Sequence, residues 1–257
     1  MGTSNIYNGP KDKKSKNEST DEKSSWKDLK SSLSKFLSKN SGSTKRILSN
    51  YIKCLGGDDS AISKSKAGYI SGGYLIDFIN LLRESGVEKA LESFDIDYKG
   101  KSFDFILSEL INKLSPETTS KEDCVARTAM NDTLSELYDY IEENNISLDE
   151  LNNINEKIIA KMLIIFFSSY VFNKFMADLE SRFDRSKEDY NKLVEKESDI
   201  RSLIDSVVDI SVNKINFSEK IENPQELAKK ILKDCYGYLE VFEWLKSDVM
   251  FQKMRKI

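Results

Sequence analysis

Gly2, in the opening run Met1, Gly2, Thr3, Ser4, Asn5, Ile6, Tyr7, Asn8, Gly9, Pro10, is the residue of this 257-residue chain with the plainest chemical potential. Glycine is small enough for Met1 to be clipped, which leaves a free α-amine on an exposed tail. Such an amine has a pKa of about 7.7–8.0, so at neutral pH a modest fraction is unprotonated and nucleophilic. The competing reading of the same residues is an ordinary frayed terminus. Physics alone supplies a candidate nucleophile here, and no reaction.

The rest of the chain offers little else. Histidine is absent, which removes the commonest general base, the commonest metal ligand and the usual partner of a Ser or Cys nucleophile. Cys54, Cys124 and Cys235 form no C-x-x-C pair, and no standard zinc spacing exists. They read as reduced thiols, most of them buried as small apolar groups. The carboxylate pairs Asp58-Asp59, Glu122-Asp123 and Glu142-Glu143 are adjacent in sequence. On a helix such neighbours point about 100° apart, which suits solvated faces or helix N-termini better than acid/base dyads. Glu180, Arg182, Asp184 and Arg185 follow the most apolar run, either as a buried ion network or as surface charge. Tyr236 and Tyr238, beside Cys235, read as core or rim. Gly72-Gly73 has no strand before it and no G-x-x-x-x-G-K-[ST] around it, so it is no P-loop. None of these makes an enzyme.

Charge is unevenly placed. Residues 1–53 carry twelve Lys/Arg and five Asp/Glu against a total of −4, leaving −11 on the remainder. A basic arm on an acidic body folds back on it or reaches for an anion. N-myristoylation requires Ser or Thr at position 6, where Ile6 stands. Lys11, Lys13, Lys14 and Lys16 would suit a polybasic membrane signal. Nucleic-acid binding is not expected, because the arm lacks arginine, has few aromatics to stack on bases, and adjoins an acidic body. No transmembrane segment and no export signal are expected, and the protein reads as cytoplasmic.

These residues need elements to position them. Residues 11–25 contain no apolar side chain, so residues 1–25 are expected to be a disordered head and linker. As flexible coil, the stretch from Gly2 to residue 25 spans about 25–30 Å. Residues 26–257 are expected to form a single all-α domain, an irregular assembly of about eight helices. Trp26, Leu29, Leu33, Phe36 and Leu37 form a helical stripe expected to dock on that domain, and Ile47, Leu48, Tyr51, Ile52 and Leu55 repeat it up to Gly56-Gly57. Residues 56–73, bracketed by glycine pairs, read as loop or a short helix. Ser147 and Glu150 have capping-box spacing. Residues 158–176 are too short for a span and read as a central core helix. The polar stretch 177–201 reads as an exposed helix. β-branching weakens the helical pattern near 207–215, and Pro224 opens a last helix.

The head, Met1-Gly2-Thr3-Ser4 with Tyr7 and Gly9-Pro10, resembles the opening of QatB proteins, components of bacterial Qat anti-phage defence systems. Residues 46–57 with Gly72-Gly73, and the segment around Ala126-Arg127-Thr128-Ala129, are similar in style. A Lys/Ser-rich linker stands here where a Pro/Gly-rich one is expected. The resemblance implies a non-enzymatic defence component with three partners: a QueC-like enzyme (QatC-type), a P-loop ATPase (QatA-type) and a TatD-like nuclease. It further implies that the QueC-like enzyme attaches a 7-deazaguanine derivative to the Gly2 amine, with Thr3, Ser4, Tyr7, Gly9 and Pro10 recognised by that enzyme. No bound prosthetic group is implied. The alternative class is a helical adaptor tethered to a membrane or an anionic polymer by its basic N-terminal arm.

Overall fold

The computed structural model describes residues 25–39, 42–144, 155–183 and 190–241. Among them lie ten helices and no strand. They are α1 (Trp26–Lys39), α2 (Thr44–Leu55), α3 (Asp58–Ser63), α4 (Lys66–Ser85), α5 (Val87–Ser93), α6 (Phe103–Leu114), α7 (Lys121–Glu143), α8 (Glu156–Phe183), α9 (Tyr190–Val212) and α10 (Pro224–Val241). The fold class is all-α, as the patterning implies, with ten helices where about eight were expected.

α1 starts at Trp26 because Ser25 caps it. The Ser25 hydroxyl accepts from the Asp28 amide at 3.2 Å and donates to the Asp28 carboxylate at 2.6 Å. All five residues of its apolar stripe are buried, as are Ile47, Leu48, Tyr51, Ile52 and Leu55 of α2. α2 ends in a left-handed turn. The Gly56 amide reaches the Lys53 carbonyl at 3.0 Å and the Gly57 amide the Ile52 carbonyl at 3.1 Å, with φ of 100° and 84°. A capping box opens α7, where Ser120 and Asp123 exchange side-chain-to-backbone bonds. The one expected at Ser147 and Glu150 lies outside the described residues.

Only the first glycine pair breaks a helix. The short helix expected within 56–73 is α3, but α4 begins at Lys66 and runs straight through Gly68, Gly72 and Gly73, which corrects the reading of the second half of that stretch. A Cβ on Gly68 would sit 2.3 Å from Tyr170 Cζ, one on Gly72 2.8 Å from Phe167 Cζ, and one on Gly73 2.9 Å from Gln225 Cα. Glycine costs a helix roughly 1 kcal/mol relative to alanine. Here it lets α8 and α10 pack against bare α4 backbone.

α8 is the central helix, with α1, α4, α7 and α9 around it. Leu163, Phe166, Phe167, Tyr170, Phe175 and Leu179 are fully buried on it. Contrary to the expectation from sequence, residues 156–181 are long and apolar enough to cross a membrane by length and composition. Burial against four neighbouring helices accounts for that apolarity, since each side needs an apolar surface. The β-branched end of α9 stays helical to Val212 because Val207, Val208, Ile210 and Val212 are buried, and packing overrides propensity. Pro224 opens α10 as expected. One apolar cluster runs from Trp26 to Leu239. Cys235 is buried, Cys54 half-buried and Cys124 exposed, so one thiol of three is fully buried where most were expected to be. Glu180 is exposed and Arg182 falls within the last turn of α8, while Asp184 and Arg185 lie outside the described residues.

Candidate functional site

Gly2, Thr3, Ser4, Tyr7, Gly9 and Pro10 lie outside the described residues, so the structure locates their anchor. The chain enters the body at Ser25, and Trp26 locks it there. The indole meets the Tyr51 ring edge-on at 6.1 Å between centroids, and Tyr51 meets Phe175 at 5.1 Å.

Beneath this anchor is a polar network that no local spacing announces. Tyr51 donates to Asp178 at 2.9 Å. Tyr170 donates to Glu122 at 3.0 Å, and the same Glu122 oxygen accepts the Ala67 amide at 2.8 Å, capping the first turn of α4. Tyr236 and Ser65 hydroxyls lie 2.8 Å apart. Ser65 donates to the Ala61 carbonyl at 2.9 Å, so Tyr236 is the donor of the pair. Lys174 reaches the Lys64 carbonyl at 2.8 Å, and Lys121 the Ala177 carbonyl. At the far end of α10, Glu240 accepts the Asp58 amide on its carboxylate at 3.0 Å and the Ser49 hydroxyl on its carbonyl at 2.5 Å.

Burial decides the protonation of this cluster. It pushes Tyr51 well above the usual tyrosine value, with the Asp178 charge adding to the effect. Tyr170 is raised in the same way, with Tyr236 and Glu122 contributing after burial. Tyr236 and the Cys235 thiol are raised too, and burial pulls Lys174 down. Three tyrosines are thus held neutral as donors, while Asp178 and Glu122 act as acceptors. This arrangement joins α2, α4, α7, α8 and α10; it places no base beside a nucleophile. Tyr236 is core, as expected, and Tyr238 is half-buried at its rim.

Glu122 was expected to be a charge at a helix start, and it is also the acceptor for a buried tyrosine on another helix. The available signal was Tyr170 itself. A hydroxyl in the most apolar helix must find a partner, yet that partner stands 48 positions away.

Depressions in the surface lie away from this network. A cleft of about 280 Å³ between α7 and α8 has Leu137, Tyr140, Ile158 and Met162 on its floor and Glu136 and Lys161, 2.5 Å apart, at its edge. A groove of about 390 Å³ between α4 and α10 carries Asp77, Glu222 and Glu226 beside Tyr74. A trough of about 410 Å³ runs along the outer side of α1. Among the described residues, no group of three or more Cys, Asp or Glu is placed to hold a metal ion.

An all-α body whose helices are tied together by buried tyrosine–carboxylate bonds is the class of molecule these features define. Residues 56–239 match the family model of QatB, the Qat anti-phage system associated protein. The chain belongs to the QatB family and is a component of an anti-phage defence system. Comparison with curated proteins and with solved structures gives no match. The family match starts at Gly56, the glycine that ends α2, and reaches Leu239 within α10. It therefore includes Gly72-Gly73 and Ala126–Ala129, while α1, nearly all of residues 46–57 and the head precede it.

Proposed function

We propose that this QatB-family protein is the non-enzymatic protein substrate of a QueC-like partner, which joins a 7-deazaguanine derivative to the α-amine of Gly2. In that reaction ATP converts the carboxylate of the deazapurine acid to an acyl adenylate, releasing pyrophosphate. The Gly2 nitrogen attacks the acyl carbon, the bond to AMP breaks, and the nitrogen loses a proton as the amide forms. Glycine suits the role because, without Cβ, its amine enters a narrow site beside the adenylate. Thr3, Ser4, Tyr7, Gly9 and Pro10 would be the residues read by the enzyme. The P-loop ATPase and TatD-like nuclease of the system are further partners in this reading, and its ATP requirement implies a cytoplasmic setting.

The observation that carries the reading is family membership over residues 56–239 together with the QatB-like opening of the head. The anchoring of the chain at Trp26 supports it, because the body then holds the arm at a fixed exit. A membrane tether draws no support from α1, whose Trp26, Leu29, Leu33, Phe36 and Leu37 are buried in the core and cannot enter lipid.

Intact-mass spectrometry of the protein co-expressed with its neighbouring genes tests the proposal. The expected result is a deazapurine-sized adduct on Gly2, lost in Gly2→Ala. An unmodified terminus, or an adduct that survives Gly2→Ala, sinks it.

A further inference from the structure

The cleft between α7 and α8 is lined by apolar side chains that these helices leave only half-covered. Tyr140, Ile158 and Ile165 are half-buried there, beside the buried Leu137 and Met162. At its edge Glu136 and Lys161 satisfy each other at 2.5 Å. The remaining charged residue of the lining, Lys157, is exposed. A group entering the cleft is therefore held by shape and apolar contact, and needs no charge of its own. Its volume of about 280 Å³ falls just below the range of about 300–1,000 Å³ that drug-sized ligands occupy. One or two side chains suit such a space.

We propose that this cleft is the resting site of the chain's own head, with Ile6 and Tyr7 seated in it. Residues 2–10 carry no charged side chain, and Ile6 and Tyr7 stand side by side among Gly, Thr, Ser, Asn and Pro. An uncharged head matches a cleft whose ion pair is internally satisfied, and the lysines begin only at Lys11. Tyr140 offers Tyr7 an aromatic partner. Length points the same way. The chain enters the body at Trp26, whose ring contacts run through Tyr51 to Phe175 of α8. From Phe175 back to Ile158, α8 rises about 26 Å. A flexible chain as long as the stretch from Tyr7 to Trp26 spans about 22–26 Å. A tether matched to its span gives an effective concentration of about millimolar order, so a weak contact is enough to fill the cleft. The contact involves the unmodified head and stands apart from the fate of Gly2. An enzyme that reads the head competes with the cleft for it.

The test uses the full chain expressed alone, so its outcome does not depend on the modification. Tyr140→p-benzoylphenylalanine puts a photoreactive ring in the cleft at a half-buried aromatic position, and circular dichroism confirms that the variant folds. After irradiation at about 0.15 M and about 1 M salt, the cross-linked peptides are identified by mass spectrometry. Capture of residues 2–10 is expected at both salt concentrations, and about fivefold less of it in Ile6→Ser/Tyr7→Ser. Both of those changes lie ahead of the first helix, so they test the occupant and not the fold. Capture of residues 145–154 or 242–257 in place of the head overturns the proposal, as does head capture that survives Ile6→Ser/Tyr7→Ser. Loss of capture at high salt overturns it too, because the lysines from Lys11 onward would then hold the arm. In a mixture of light and isotopically heavy chains, capture confined to the other chain's head assigns the cleft to a second copy and also overturns it. If the Tyr140 variant misfolds, Tyr7→p-benzoylphenylalanine probes from the other side: capture of α7 or of residues 155–165 is expected, and capture elsewhere sinks the idea. The mass of Gly2 in co-expressed protein is a separate reading, so the cleft and the modification stand or fall independently.

Discussion

Two glycine pairs, sixteen positions apart, do opposite work. At Gly56-Gly57 the backbone takes φ of 100° and 84°, closing α2 and turning the chain into α3. Glycine matters there first for its angle, since an L side chain at such φ costs about 1–2 kcal/mol; at Gly56 a Cβ would in addition sit 2.9 Å from Ser60 Oγ. At Gly72-Gly73 the backbone is ordinary helix, and the value of glycine is the missing volume: Phe167 and Gln225 stand where a Cβ would be. Gly68, one turn earlier, is the tightest case, against the ring of Tyr170. The lesson is that a glycine pair marks a place where a side chain is intolerable, and only the surroundings say whether the reason is angle or space.

That contrast breaks most visibly at high pH. Tyr51, Tyr170 and Tyr236 have raised pKa values in the fold, so their contribution to stability is present below the unfolded tyrosine pKa of about 10 and is lost above it. Cooperative loss of helicity above about pH 10, followed by circular dichroism, is expected. Gly68→Ala and Gly57→Ala should both shift that midpoint downward, Gly68→Ala by more.

At neutral pH, Gly68→Ala is the most damaging glycine substitution, by about 3 kcal/mol in urea unfolding, because a buried ring bonded to Glu122 cannot step aside. Gly72→Ala should cost about 1–3 kcal/mol, and Phe167→Leu in the same chain should recover part of it. At Gly56 the cost of alanine is about 1–2 kcal/mol for the angle, plus that of displacing Ser60 Oγ, 2.9 Å from the new Cβ, and asparagine, which tolerates positive φ, should be milder than alanine. The reverse order at Gly72, asparagine worse than alanine, would confirm that space and not angle governs there. The smallest effect has the opposite sign. Gly237 is helical, with its nearest obstacle, Asp58 Oδ2, at 3.7 Å, so Gly237→Ala should stabilise by about 0.5–1 kcal/mol.

Much of the fold is legible in the sequence. The spacing of Trp26, Leu29, Leu33, Phe36 and Leu37 reveals the buried side of α1, and the composition of residues 158–176 reveals a core helix, because burial leaves a periodic trace. Gly72-Gly73 misleads because the trace of close packing is local, while its cause, Phe167, is on another helix. The Tyr170–Glu122 pair is hidden for the same reason. The count of helices misses the two shortest most easily: α3 spans 6 residues and α5 spans 7, about two turns each, too short for a period to show. The head is legible as chemistry and as a resemblance, and its chemistry awaits the mass of Gly2.

The grip of α10 on the start of the fold also sets an order of events at the ribosome. Ser49 bonds to Glu240, 191 positions later, so α2 cannot be fully covered until nearly all of the protein has been made. At 5–20 residues per second, that interval is about 10–40 s. During it, Leu48 and Ile52, fully buried in the finished molecule, await the helix that closes over them. The amino-terminal hairpin is thus the first part of the body to be synthesised and among the last to be sealed.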